Sequence, residues 1–241
     1  VSRIENIVLD GNTIFRNGNN GINNEAAERG RIVNNVIYDN GGTYDGWAIN
    51  LSDNAGTFEA RSNYIAHNTI LHGRPGYAAL RADTGSAGHT ATNNIIECSG
   101  TAFYLEAGTS GAIESDFNLF YGGTANWKNG GTTYTSLANW QAAGFDASSI
   151  AGSDPLLTNY RLTASSPAID TGTATEVTLD VDGNSRPQGA GWDIGADEFF
   201  LSPTIVTNNA SGARVSGFRN LAMAVLPAPV GTSYIWKQDF E

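Results

Sequence analysis

A short phrase recurs through the first half of the chain: Asn12-Thr-Ile-Phe-Arg-Asn17, Asn35-Val-Ile-Tyr-Asp-Asn40, Asn63-Tyr-Ile-Ala-His-Asn68 and Asn94-Ile-Ile-Glu-Cys-Ser99. Asn118-Leu-Phe-Tyr-Gly-Gly123 keeps the leading Asn and the apolar step. The leading asparagines lie 23, 28, 31 and 24 residues apart. That period suits one coil of a β-solenoid with loops of varying length. In such a coil, a residue at one corner stacks on its equivalent about 4.8 Å away. A stacked Asn passes amide hydrogen bonds up the ladder and tolerates the left-handed backbone of the bend. The expected fold is therefore an all-β, single-stranded parallel β-helix of about four to five coils over residues 1–121, with Asn12, Asn35, Asn63, Asn94 and Asn118 at one corner.

A second strand follows each phrase. Gly46-Trp-Ala-Ile-Asn-Leu-Ser52, Gly76-Tyr-Ala-Ala-Leu-Arg81 and Gly100-Thr-Ala-Phe-Tyr-Leu-Glu106 share a Leu, which suggests an inward stack of Leu51, Leu80 and Leu105. By alternation, Ile49, Ala78 and Phe103 form the adjacent inward row. The outward row then holds Glu25, Ser52, Arg81 and Glu106. Third strands are expected at Arg31-Ile-Val, Phe58 to Arg61, Thr90-Ala-Thr and Ala112 to Glu114. After about Gly122 the repeat stops. Ser136 to Gly144 reads as a short helix over 137–143, with Ser136 as N-cap. Residues 122–198 form a loop-rich C-terminal part and cap. Residues 199–241 shift composition around Pro203, Pro227 and Pro229 and read as further strands, a linker or another module.

The C-terminal run carries a resemblance. Asp154-Pro-Leu, Tyr160-Arg-Leu, Ser166-Pro-Ala-Ile-Asp170, Asp180-Val-Asp-Gly-Asn184, Arg186-Pro187 and Asp193-Ile-Gly-Ala-Asp-Glu198 resemble the C-terminal signature of bacterial right-handed parallel β-helix proteins of the pectate-lyase-like superfamily. Ser115 to Tyr121 and Trp140 to Gly144 match the same pattern. The resemblance implies a right-handed coil and an extracellular or cell-surface protein acting on polysaccharide. Lyases, glycoside hydrolases and surface proteins share that fold, so it does not fix the chemistry. The alternative is a non-catalytic adhesin, fibre or structural module. The chain opens at Val1, as an excerpt or a processed product does, and shows no signal peptide.

Composition narrows the partners. The 24 acidic residues against 13 Lys and Arg give a net charge of −11, which leaves no broad positive field for nucleic acid. No stretch is apolar enough to span a membrane. The single cysteine, Cys98, excludes an intramolecular disulfide and reads as a buried strand residue.

The outward face of the second strand is the expected sugar surface. Arg81, Glu106, Asp83 and Tyr104 are candidate catalytic residues. Glu25, Trp47, Asn50 and Tyr77 are candidate substrate contacts, because rings stack on sugar faces while amides meet hydroxyls. Asp83 and Glu106 are expected about 8 Å apart, within the range of an inverting pair. Arg81 could neutralise a uronate, with Tyr104 or His72 as base. Asp180, Asp182 and Asn184 place oxygens around a Gly turn and could hold Ca²⁺. The competing reading is an Asx-rich turn with Arg186 against Asp180, Asp182 or Asp193.

Overall fold

The corner asparagines do stack, and each coil starts from them. The computed structural model describes residues 3–42, 46–53, 58–106, 111, 113–122, 126–200, 204–207 and 213–216. Within it, Asn12, Asn35, Asn68, Asn94 and Asn118 form one continuous ladder. The backbone N–H and the Nδ2 of each donate to the Oδ1 of the next, every bond 3.0 Å long. The residue before each ladder Asn is left-handed: Gly11, Asn34, His67, Asn93 and Phe117 have φ between +52° and +67°. Bend and ladder are thus one device, since the left-handed residue turns the chain and the Asn satisfies the turned backbone.

Asn68, not Asn63, is the third rung. Asn63 sits one corner earlier, where its Oδ1 accepts from Gly30 N at 2.8 Å and its N–H donates to His89 Nδ1 at 3.1 Å. This coil contains two phrases five residues apart, Asn63-Tyr-Ile and Asn68-Thr-Ile, and both satisfy the pattern.

Three parallel sheets make a β-solenoid of about four turns. The first sheet follows the ladder: Thr13–Phe15, Val36–Tyr38, Thr69–His72, Ile95–Cys98, Leu119–Tyr121 and Ile150–Ala151. The second contains Ile22–Glu25, Ile49–Ser52, Ala78–Ala82, Thr101–Leu105, Asn126–Asn129 and the antiparallel Thr132–Tyr134. The third contains Val8–Asp10, Arg31–Val33, Tyr64–Ala66, His89–Thr92 and Ile113–Asp116. The strand expected at Phe58 to Arg61 is replaced by Tyr64–Ala66, and Arg61 makes only isolated bridges. Ala112 lies outside the described residues.

In the second sheet the pairing is shifted by two residues from the expected alignment. Leu80 lies between Ile49 and Phe103, in an inward row with Ile22 and Trp127. Leu51 and Leu105 flank Ala82 in the other inward row, and Ala78 pairs with Thr101. A slip of two preserves the side of the sheet on which each residue lies. All six expected core residues are therefore buried despite the changed neighbours. Leu80→Ala should cost about 2–5 kcal/mol in urea unfolding, as other large-to-small core changes do. A loss below about 1 kcal/mol would mean that the Ile49–Leu80–Phe103 row is not packed as described.

Aromatic residues close the C-terminal end of the core. Phe103, Phe120 and Trp127 form a chain of edge contacts, and Trp127 lies 6.4 Å from Trp140. The helix Leu137–Ala142 carries Trp140, which stacks on Phe145 at 4.0 Å and meets Tyr134 at 5.2 Å. Ser136 caps this helix by accepting from Asn139 N. The ladder ends beneath it. Asn118 donates to Ser149 Oγ and to buried Asp146, which also accepts from Ser115, Ser149 and Trp140 Nε1.

Residues 170–198, expected from the sequence to fold back over this end, lie elsewhere, together with residues 154–169. They run as a strap along the side of the solenoid, over the ladder corner. Thr173 O accepts from Asn93, Ala196 N donates to Thr69, Leu179 O accepts from Asn34, and Glu176 pairs with Arg31. The reason is apolar area outside the coil. Ile95 and Leu119 pack with Leu162, Ala168 and Ile194 of the strap, and Val33 and Ala66 pack with Val177. Burying such outward side chains stabilises the strap at roughly 25 cal/mol per Å².

Residues 201–241 cluster as a separate unit, in which Thr204–Thr207 pairs antiparallel with Ala213–Ser216. Pro203, Pro227 and Pro229 lie outside the described residues.

Candidate functional site

The outward row of the second sheet reads Asn23, Asn50, Arg81, Tyr104 and Lys128, one residue per coil. Glu25 and Ser52 are paired with each other, but Arg81 is not in their row. Glu25 is exposed and, among the described residues, accepts only a long bond of 3.5 Å from Asn23. The structure does bring Arg81, Asp83, Glu106, Asn50, Tyr104, Trp47 and Tyr77 together.

Arg81 is the hub. Its Nε and Nη2 reach Glu106 Oε1 at 2.8 and 2.6 Å, Nη2 also reaches Asp83 at 2.9 Å, and Nη1 donates to Asn50 Oδ1 at 2.9 Å. Asn50 in turn donates to Asn23 at 2.7 Å. The guanidinium lies 5.4 Å from the Trp47 ring. Trp47 meets Tyr77 edge-on at 4.9 Å and Tyr104 at 5.9 Å. Arg74 and Lys128 lie over Tyr77 and Tyr104. A partly buried aromatic surface is thus fastened by one arginine whose three side-chain nitrogens are all engaged.

This arrangement suits contact better than proton transfer. Burial pushes the Glu106 carboxyl up, but the hydrogen bond and charge of Arg81, with Asp83 and Thr84 beside it, outweigh burial and hold it below its usual range. A general acid needs the opposite shift. Asp83 and Glu106 also share one guanidinium, which fills the space an inverting pair keeps for water. Arg81 itself has two carboxylates to neutralise it, so a uronate gains little from it. His72 is no base for this surface. It belongs to the first sheet, opposite Cys98, is 3% exposed, and burial lowers it to about 4.

The Asp180 loop is organised from within. Asp180 accepts from Asp182 N, Asn184 N, Asn184 Nδ2 and Glu198 N. Oxygens of Asp180, Asp182 and Asp197 lie within 4.8 Å of one another. Arg161 already meets that charge, with a bidentate contact to Asp182 at 2.6 and 2.7 Å and Asp197 at 3.6 Å. Arg186 is not its partner. It pairs with Glu198 at 2.9 Å inside the strap and touches Asp193 through its carbonyl. Calcium would have to displace Arg161, so the melting temperature should be the same in EDTA and in millimolar calcium. A clear rise with calcium would contradict the Arg161 assignment.

The buried titratable groups elsewhere read as structural. Burial lowers His89 to about 4 and raises Cys98 to about 11, so neither the imidazolium nor the thiolate forms at neutral pH. No family model, curated protein or solved structure matches the chain.

Proposed function

We propose that this protein is an extracellular or cell-surface β-solenoid of the pectate-lyase-like kind that holds a neutral polysaccharide against its second sheet without cleaving it. The observation that carries the reading is Trp47, set between Tyr77 and Tyr104 and held by Arg81. Aromatic rings set beside amide and hydroxyl groups match the alternating apolar and polar surfaces of a sugar chain. The coil repeat of about 4.8 Å sets the row along the axis an extended glycan would follow. The Arg81 contacts that hold Glu106 below its usual range favour binding over hydrolysis.

The test is a panel of neutral and uronate polysaccharides, read both for binding and for new reducing or unsaturated ends. The reading expects saturable binding to a neutral member and no product. Product release would make the protein an enzyme. Binding confined to uronate polymers would return Arg81 to the role of a carboxylate receptor.

A further inference from the structure

A second concavity lies on the first sheet, away from the Trp47 surface. Its floor is the outward row Tyr38, Leu71, Glu97 and Tyr121, one residue per coil. Its wall is the start of the strap, from Asp154 to Tyr160. The groove encloses about 800 Å³ and adjoins a recess of about 500 Å³. Tyr160 stacks on Tyr38 with ring centroids 4.4 Å apart. Tyr38 and Tyr121 are three rungs apart, about 14 Å, or the length of about three sugar rings.

The groove is acidic: Asp39, Glu97 and Asp154 all line it, and Asp39 pairs with Arg16. Asp83, Glu106, Asp182 and Glu198 each face an arginine. Among the described residues, neither Glu97 nor Asp154 forms an ion pair. Both line the recess, where Asp154 accepts from Leu156 N at 2.8 Å; burial first, and then the charge of Asp154, push Glu97 above its usual range. The same Asp154 raises the Tyr121 hydroxyl. Two carboxylates without a counter-ion, walled by tyrosine rings, form an environment that complements a cation. The floor offers no backbone. Val36–Tyr38, Thr69–His72, Ile95–Cys98 and Leu119–Tyr121 each pair on both sides. A peptide therefore finds no strand edge to extend, and recognition falls to rings, hydroxyls and carboxylates.

We propose that this groove is a second glycan site, specific for a linear amino-sugar polymer bearing protonated amines. An ammonium group sits between Glu97 and Asp154, and the flanking sugar rings lie against Tyr160, itself stacked on Tyr38, and against Tyr121. The proposal is independent of the Trp47 surface, and either can fail alone.

Titration calorimetry at about pH 6 with a fully deacetylated glucosamine oligomer and its N-acetylated counterpart tests it. The deacetylated oligomer should bind at least about ten-fold more tightly, because only its amine is charged. Glu97→Gln combined with Asp154→Asn should remove that preference, while Glu114→Gln, at an exposed carboxylate of the third sheet, leaves it intact. Glu97→Gln alone, at a partly exposed side chain, gives the same reading if the pair disturbs folding. Equal affinity for the two oligomers overturns the proposal, as does a preference that survives the substitutions. Oligolysine bound as tightly, and lost in the same variants, would assign the groove to basic peptides and overturn the sugar assignment.

Discussion

Asn68→Ala should destabilise the protein by about 4 kcal/mol or more, because it strands several buried polar groups at once. The Asn68 amide donates to Ile32 O at 2.8 Å, Ala66 O at 3.2 Å and Asn94 Oδ1 at 3.0 Å. Its Oδ1 accepts from both Asn35 N and Asn35 Nδ2. Alanine removes all five, in a residue that is fully buried. A stranded buried group costs about 1–3 kcal/mol, against a total domain stability of about 5–15. Asn68→Asp is the sharper control. It keeps the two accepted bonds, turns the three donated ones into contacts between acceptors, and adds a buried charge. Aspartate should therefore do no better than alanine. Urea unfolding of the three proteins decides. A loss under about 1 kcal/mol in Asn68→Ala would show that the ladder is not a continuous support.

Arg186→Met should cost about 3–5 kcal/mol and act on the strap first. The Arg186 side chain is fully buried, as is that of Glu198. It also donates to the carbonyls of Gly195 at 3.0 Å and Ala196 at 2.8 Å, and to Asn34 Oδ1 at 3.3 Å. One guanidinium thus ties the strap to itself and to the second coil. Its removal leaves the Glu198 carboxylate buried with only the N–H groups of Gln188 and Asp193. Adding Glu198→Gln should recover part of the loss, since the penalty is mostly that of a lone buried charge. Amide exchange over 160–198 should rise well before that of the ladder strands. Loss of the ladder at the same rate would mean that strap and solenoid unfold as one unit.

The solenoid was legible because its corner is a chemical necessity. An Asn that satisfies the turned backbone and bridges to the next coil recurs at each coil, and the apolar step behind it recurs with it. Register was less legible. Leu51, Leu80 and Leu105 look equivalent, and a two-residue slip changes neither burial nor alternation, so nothing in the local pattern opposes the wrong row. The strap was missed for a different reason. Asn35-Val-Ile, Asn94-Ile-Ile and Asn118-Leu-Phe put two apolar residues in succession, which places one on each side of the strand. That is the mark of a sheet buried on both faces, and it announced a covering segment beside the coil in place of one across its end. At the site, the residue types of the second strand identified the aromatic and polar surface. They could not show that Arg81 gathers Asp83 and Glu106, because Asp83 follows the strand and its direction is set by the turn. The groove at Glu97 depends on Asp154 and Tyr160, which are distant in sequence and reach it only through the strap.

The most direct test of the account is a footprint of bound glycan. Amide exchange, or backbone chemical shifts, should be recorded with and without the neutral polysaccharide that the panel identifies, in the wild-type protein and in Trp47→Ala. The account predicts changes concentrated on Ile49–Ser52, Ala78–Ala82 and Thr101–Leu105, with affinity lowered at least about ten-fold in the variant, about 1.4 kcal/mol. Changes centred on other strands, or an affinity indifferent to Trp47, would contradict it.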